Sequence, residues 1–305
     1  MKVELKGTGV AMATPFKKDG AIDYEGLSSL IEYLIGGGPE FLVSLGTTGE
    51  SAVLSKEEKI EVVAFTKKII NGRVPFVVGI GGNNTSAVVE EIKSTDFVGV
   101  DAVLSVSPAY NKPTQEGIYQ HFKAISEACP VDIILYNIPG RTGSNISAET
   151  TLRLANDFDN IAAIKEASRD MDQIMKILRD KPKTFKVLSG DDAFTLPMLL
   201  MGADGVISVQ AMVQPKEFSE MVRQGLAGNL EKARALHYPQ LEIIDHLFAE
   251  GNPAGVKACL KIKGICEEHV RLPLVSISRE RYKKLEGLLK SHQETGVGYL
   301  KSLLK

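Results

Sequence analysis

Lys165 closes the run Ile161-Ala162-Ala163-Ile164-Lys165, and that position gives it possible chemistry. A lysine ending an apolar strand is partly stripped of water, which favours the neutral, nucleophilic amine. The plainer alternative is a rim lysine paired with a carboxylate. Glu166 is adjacent, although successive strand residues face opposite ways. Tyr136 ends a similar run, Ile133-Ile134-Leu135-Tyr136. A phenol there can carry protons, or simply fill space with its hydroxyl satisfied. Gly46-Thr47-Thr48-Gly49-Glu50-Ser51 sets two hydroxyls between two glycines. Such a tight turn can hold a carboxylate through N–H and O–H groups, or serve only as a polar connection. Arg141, in Gly140-Arg141-Thr142-Gly143, offers a planar fork suited to a second carboxylate, or a solvated cation. Gly190, in Ser189-Gly190-Asp191-Asp192, and the run Gly205-Val206-Ile207-Ser208 let backbone approach a ligand, or make turns.

Other chemistries find less support. The five histidines, His121, His237, His246, His269 and His292, are dispersed, with neither H-E-x-x-H nor paired cysteines, so no metal is expected. Cys266-Glu267-Glu268-His269 is a lone C-x-x-H that reads as a helix end. No G-x-S-x-G elbow suggests a serine hydrolase. Gly79-Ile80-Gly81-Gly82-Asn83 lacks the third glycine of a dinucleotide fingerprint, and Gly251-Asn252-Pro253-Ala254-Gly255-Val256-Lys257 fails the P-loop spacing. No cofactor is expected.

These residues need elements to position them. Short β-branched runs alternate with segments of helical period. Strands are expected at Val10–Thr14, Phe41–Leu45, Pro75–Ile80, Asp101–Val106, Asp132–Asn137, Ile161–Lys165, Phe185–Ser189 and Gly205–Val209. A helix should start near Asp23 with Leu27, Leu30, Ile31 and Leu34 as its apolar stripe. Another should open at a Ser55-Lys56-Glu57-Glu58 capping box and run through Ile60, Val63 and Ala64. Asp170 and Asp192 fit helix N-caps. Eight β-then-α units predict a (β/α)8 TIM barrel over residues 1–225, with candidate residues at the C-terminal strand ends, where barrel active sites lie. A doubly wound open sheet is the alternative, and it lacks its glycine fingerprint. Residues 226–305 read as a C-terminal helical extension, with helices at Leu230–Phe248, Ala254–Cys266 and Arg279–Leu289. Pro239 should bend or break the first.

Composition agrees with a packed globular chain. Of 305 residues, 44% are hydrophobic and 24% charged, enough to bury a core. A net charge of −2 gives no general attraction to nucleic acid or anionic membranes. Cys129, Cys259 and Cys266 are scattered and odd in number, which fits a reducing compartment. The N-terminal residues show neither a signal peptide nor a membrane span, so a cytoplasmic protein is expected.

Taken together and in order, Gly46-Thr47-Thr48-Gly49-Glu50, Tyr136-Asn137-Ile138-Pro139-Gly140-Arg141-Thr142-Gly143 and Ile164-Lys165-Glu166-Ala167 carry a resemblance. The chain resembles the pyruvate-dependent class I aldolase superfamily related to N-acetylneuraminate lyase, and within it the dihydrodipicolinate synthase family. The resemblance implies that Lys165 forms a Schiff base with pyruvate and that the resulting enamine adds to L-aspartate 4-semialdehyde. It implies Tyr136 as proton shuttle, with Thr48 linking it to Tyr110 from a neighbouring subunit. Thr47 and Thr48 would hold the pyruvate carboxylate, Arg141 the carboxylate of the aldehyde, and Gly190 and Ile207 would present carbonyls near the imine. A homotetramer built as a dimer of dimers follows from the same resemblance.

Arg141 and the Thr47-Thr48 pair favour this family over the sialate lyases and the 2-keto-3-deoxy sugar acid aldolases. Two other classes compete: a barrel acting on a phosphate or dinucleotide, which lacks its motif, and a non-catalytic scaffold, which would have lost Lys165, Tyr136 or the threonine turn. One departure bears on regulation. Where lysine-inhibited relatives place a histidine, an acidic residue and a tyrosine, this chain has Lys56, Ala87 and Ala109, while Asn83 is retained. Weak or absent inhibition by lysine is expected.

Overall fold

The computed structural model describes residues 4–303, with side chains through residue 292. Eight parallel strands close in chain order: β1 (Gly7–Ala11), β2 (Phe41–Ser44), β3 (Phe76–Gly79), β4 (Ala102–Val106), β5 (Asp132–Asn137), β6 (Ile161–Glu166), β7 (Lys186–Ser189) and β8 (Gly205–Ser208). A helix follows each strand, so the chain is a TIM barrel. The alternation of side chains sorts the strands into two cores. Ala11, Val43, Val77, Leu104, Ile134, Ala163, Leu188 and Ile207 fill the interior. Val10, Leu42, Val78, Val103, Leu135, Ile164, Val187 and Val206 face the helices.

The helix signals in the sequence account for most of the outer layer. Asp23 caps Tyr24–Gly37 by accepting from the Gly26 N–H, and Leu27, Leu30, Ile31 and Leu34 are all buried. Ser55 and Glu58 form the reciprocal capping box of Lys56–Ile70. It runs through Ile60, Val63 and Ala64 as expected, with Val62, Val63, Thr66 and Ile70 as its buried face and Ile60 60% exposed. Asp170 caps Met171–Asp180 through the Gln173 N–H.

Two expectations about the barrel need correcting. β1 begins three residues early, because Gly7 and Gly9 sit where closure leaves no room. A Cβ on Gly205 would lie 2.1 Å from the Gly7 carbonyl oxygen, and one on Gly9 would meet the Phe41 ring at 2.1 Å. Asp192 does not cap the helix that follows it in sequence. Helix Thr195–Leu200 starts after Phe194, and the buried Asp192 carboxylate accepts from the Ser208 hydroxyl and the Val209 and Gln210 N–H groups. Pro239 does not break Leu230–Phe248. The helix continues through it, and the Pro239 carbonyl accepts from His292 Nε2 at 2.7 Å.

The C-terminal helices Leu230–Phe248, Ala254–Ile262 and Arg279–Leu303 lie against the barrel and share its outer core through Ala233, Leu236, Ile243, Val256 and Leu285. The second ends four residues before the expected Cys266, at a turn in which Gly264 has φ +71°. The third runs past the expected Leu289. Among the described residues, no helix is long and apolar enough to cross a membrane.

Candidate active site

At the C-terminal mouth of the barrel lies a cavity of about 470 Å³ lined by Thr47, Thr48, Tyr136, Arg141, Lys165 and Gly190, among others. Six of the eight residues singled out in the sequence therefore meet in one space, although they come from four strand ends. A second cavity of about 310 Å³ adjoins it, sharing Gly46, Thr47, Tyr136, Arg141 and Asn252.

Lys165 is only 6% exposed and points inward from β6. Its Nζ stands 4.3 Å from the centre of the Tyr136 ring, and Tyr136 is its register partner on β5. Among the described residues no carboxylate pairs with Lys165, which excludes the rim salt bridge. Glu166 faces the outer layer instead, as strand alternation requires. Gly190 packs beside the lysine stem, and a Cβ there would lie 3.1 Å from Lys165 Cγ and 2.7 Å from Ala167 Cβ. Only glycine fits.

The threonine turn is held by contacts from distant parts of the chain. Leu45 and Glu50 both adopt left-handed backbone, with φ of +56° and +52°, a conformation that costs non-glycine residues free energy. Thr14 Oγ1 donates to the Gly49 carbonyl at 2.7 Å. The buried Glu50 carboxylate accepts from Lys257 Nζ at 2.5 Å and from the Arg271 N–H at 3.0 Å. Burial pushes the Lys257 ammonium down, and the Glu50 charge opposes that shift. Asn252 Nδ2 donates to Thr48 Oγ1 at 3.0 Å, which occupies an acceptor site of that hydroxyl and leaves its proton to be donated. Sequence reading missed Asn252, Lys257 and the role of Glu50. Their partners lie more than 200 residues apart, and only the unused Gly251–Lys257 motif hinted at the segment.

Arg141 is carried by the short helix Pro139–Thr142, which Gly143 ends at φ +71°. Its guanidinium is exposed and has no hydrogen-bond or ion-pair partner among the described residues. The Tyr136 and Thr47 hydroxyls likewise have no hydrogen-bond partner among the described residues. Polar groups that line a cavity without protein partners are available to a ligand. A cation, unpartnered hydroxyls and a sheltered amine lining one cavity suit a small acid with two or more oxygen functions.

Two expected residues stand apart from this cluster. Ile207 is buried in the barrel interior with Tyr136 and Leu188 and does not line the cavity with its side chain. Tyr110 is 90% exposed on the loop after β4, with φ +70°, and also lies outside the cavity.

Residues 4–292 match the Dihydrodipicolinate synthetase family. A 4-hydroxy-tetrahydrodipicolinate synthase from Flavobacterium psychrophilum is 56% identical over 92% of this chain and 96% of its own length. One from Parabacteroides distasonis is 49% identical over 94% of this chain and 97% of its own. The crystal structure of a dihydrodipicolinate synthase from Aquifex aeolicus superposes with a TM-score of 0.92 at 43% identity, covering 95% of this chain and 98% of that one. The chain belongs to the dihydrodipicolinate synthetase family, and it is an enzyme. The names of these relatives favour the synthase over the sialate lyase and sugar-acid aldolase alternatives.

Proposed function

We propose that this chain condenses pyruvate with L-aspartate 4-semialdehyde through a Schiff base on Lys165, the reaction of a 4-hydroxy-tetrahydrodipicolinate synthase in lysine and diaminopimelate biosynthesis. The observation that carries this is the sheltered, unpaired Lys165 amine beside the Tyr136 ring in a cavity that also holds Thr47 and Arg141. Lys165 attacks the ketone carbon of pyruvate, and the carbinolamine loses water to give an imine. Loss of a methyl proton gives the enamine, whose terminal carbon bonds to the aldehyde carbon of the second substrate. That substrate's amine then displaces Lys165 from the imine carbon, closing the ring and returning the free amine. Overall, one water leaves.

Tyr136 carries protons at the carbinolamine and alkoxide steps, within reach of the amine it adjoins. Thr47 and Thr48 hold the pyruvate carboxylate, and the Asn252 contact turns the Thr48 hydroxyl into a donor for it. Arg141 binds the carboxylate of the semialdehyde in a fork. Gly190 and Ile207 present main-chain carbonyls toward the imine. Tyr110, too exposed to act alone, completes a proton relay through Thr48 when a second copy docks, within a dimer of dimers. The enzyme works in the cytoplasm, without a metal or cofactor. A steady-state assay tests the reaction: turnover of aspartate semialdehyde with pyruvate and none of sialic acid is expected, and the reverse preference overturns it.

A further inference from the structure

β5 and β6 place Tyr136 opposite Lys165 and, one residue on, Asn137 opposite Glu166. The first pair faces the cavity. The second faces the helices, where Asn137 is fully buried and Glu166 is 1% exposed. Lower down, the register slips: Ile133 pairs with Ile161, but Ile134 pairs with Ala163, leaving Ala162 without a partner. Above the slip the pairing is continuous from Ile134–Ala163 to Asn137–Glu166, and the Ala167 N–H donates to the Asn137 carbonyl at 2.9 Å. Register is therefore set by the backbone, and a side-chain link at the last pair acts on the fine alignment at the mouth.

Glu166 accepts four hydrogen bonds. Asn137 Nδ2 donates to both carboxylate oxygens, at 3.2 and 3.0 Å. The Ser168 N–H donates at 2.7 Å and Gln173 Nε2 at 3.1 Å. Asn137 is itself oriented, because its Oδ1 accepts from the Ile146 N–H at 3.0 Å while Nδ2 also donates to Asn145 Oδ1 at 2.8 Å. Asn145 in turn donates to Gln173 Oε1 at 2.7 Å, so the network closes. Burial pushes the Glu166 carboxyl up against the pull of these donors, and no cation pairs with it among the described residues. A buried carboxylate is costly, and an apolar pair would pack this wall at lower cost. What the polar pair adds is geometry: an acceptor on β6 and a fixed donor on β5.

We propose that Glu166 and Asn137 are positioning residues, an outer staple between β5 and β6 that fixes the alignment of Lys165 against Tyr136 on the opposite face. The inference rests on the reading of Lys165 as nucleophile and Tyr136 as proton carrier. Catalytic geometry tolerates little displacement, and small misplacements cost about a hundredfold in rate.

Glu166→Gln tests it, since the near-isosteric amide sets N–H against N–H. The rate of imine formation is read by borohydride trapping with pyruvate, at a temperature where circular dichroism shows every variant folded. The unmodified protein should give an adduct on Lys165. Glu166→Gln should trap about ten- to a hundredfold more slowly and lose kcat by a similar factor, with KM for both substrates within about threefold. In Asn137→Asp/Glu166→Gln the donor and acceptor exchange strands, and most of the trapping rate should return. If Glu166→Gln traps as fast as the unmodified protein and only melts earlier, the residue is merely structural and the proposal falls. A slow single variant with an equally slow exchanged pair overturns the staple while leaving Lys165 as nucleophile. No adduct on Lys165 in the unmodified protein overturns the reading beneath both.

Discussion

Lys165 and Arg141 divide the proposed reaction at the scale of single residues. In that proposal the amine supplies the Schiff base, and the guanidinium selects an acceptor carrying its own carboxylate. Arg141→Ala should raise KM for aspartate semialdehyde by about ten- to a hundredfold, the worth of a charge-assisted hydrogen bond. KM for pyruvate should stay close to its original value. Initial-rate measurements with each substrate varied in turn check this, and an equal loss for both substrates contradicts it. Tyr136→Phe keeps the ring beneath Lys165 and removes only the hydroxyl. Its kcat should fall by about a hundredfold or more, the usual contribution of a positioned acid or base. The candidate residues with their own spacing and chemistry, Lys165, Tyr136, Thr47, Thr48, Arg141 and Gly190, were legible in the sequence. Asn252 and Glu166 were not. Asn252 acts on Thr48 across 204 positions. Glu166 looked like a partner for Lys165 until strand alternation turned it outward.

At the scale of elements, the Lys257–Glu50 pair ties the helix Ala254–Ile262 to the threonine turn. Lys257 is fully buried, so removing it strands a buried carboxylate beside a strained turn. Lys257→Met should destabilise the fold by about 3–5 kcal/mol, read from chemical or thermal unfolding. A loss well under about 1 kcal/mol would show that the pair holds nothing in place. His121, inside helix Gln115–Ala128, gives a pH dependence. Burial pushes its imidazole down to about 4, from 6.5 in the unfolded chain. The folded value is the lower one, so its contribution is fully present above pH 6.5 and is lost as pH falls through about 4. His121→Gln should therefore flatten the fall in Tm between those values, and an unchanged slope contradicts this. The elements themselves were largely legible, because strands of β-branched residues and capped amphipathic helices announce their periods. β1 was misplaced because its glycines, required by closure against β8 and the Phe41 ring, have low strand propensity. Asp192 looked like a cap because aspartate before a helix usually is one, and its true partners lie on the next strand.

At the scale of the whole molecule, the proposed proton relay takes Tyr110 from a second copy. Tyr110 is almost fully exposed and lines no part of its own chain's cavity, which suits a residue offered to a second copy. Tyr110→Ala should lower kcat by at least tenfold while leaving the cavity of each chain intact, and sedimentation should find a tetramer for the unmodified protein. Full activity in Tyr110→Ala would remove the subunit from the reaction. Of the positions compared with lysine-inhibited relatives, the retained Asn83 donates through Nδ2 to the Ala109 carbonyl at 3.4 Å. With no carboxylate at position 87 to meet an ammonium, submillimolar lysine should inhibit the steady-state rate weakly or not at all, and strong inhibition contradicts this.

The claim on which the account turns is that Lys165 is the nucleophile. Incubation with pyruvate, reduction with borohydride and mass spectrometry of the digested protein test it directly. The predicted result is a single pyruvate adduct on the peptide bearing Lys165, absent without pyruvate and absent from Lys165→Ala. No adduct, or one on another lysine, contradicts it.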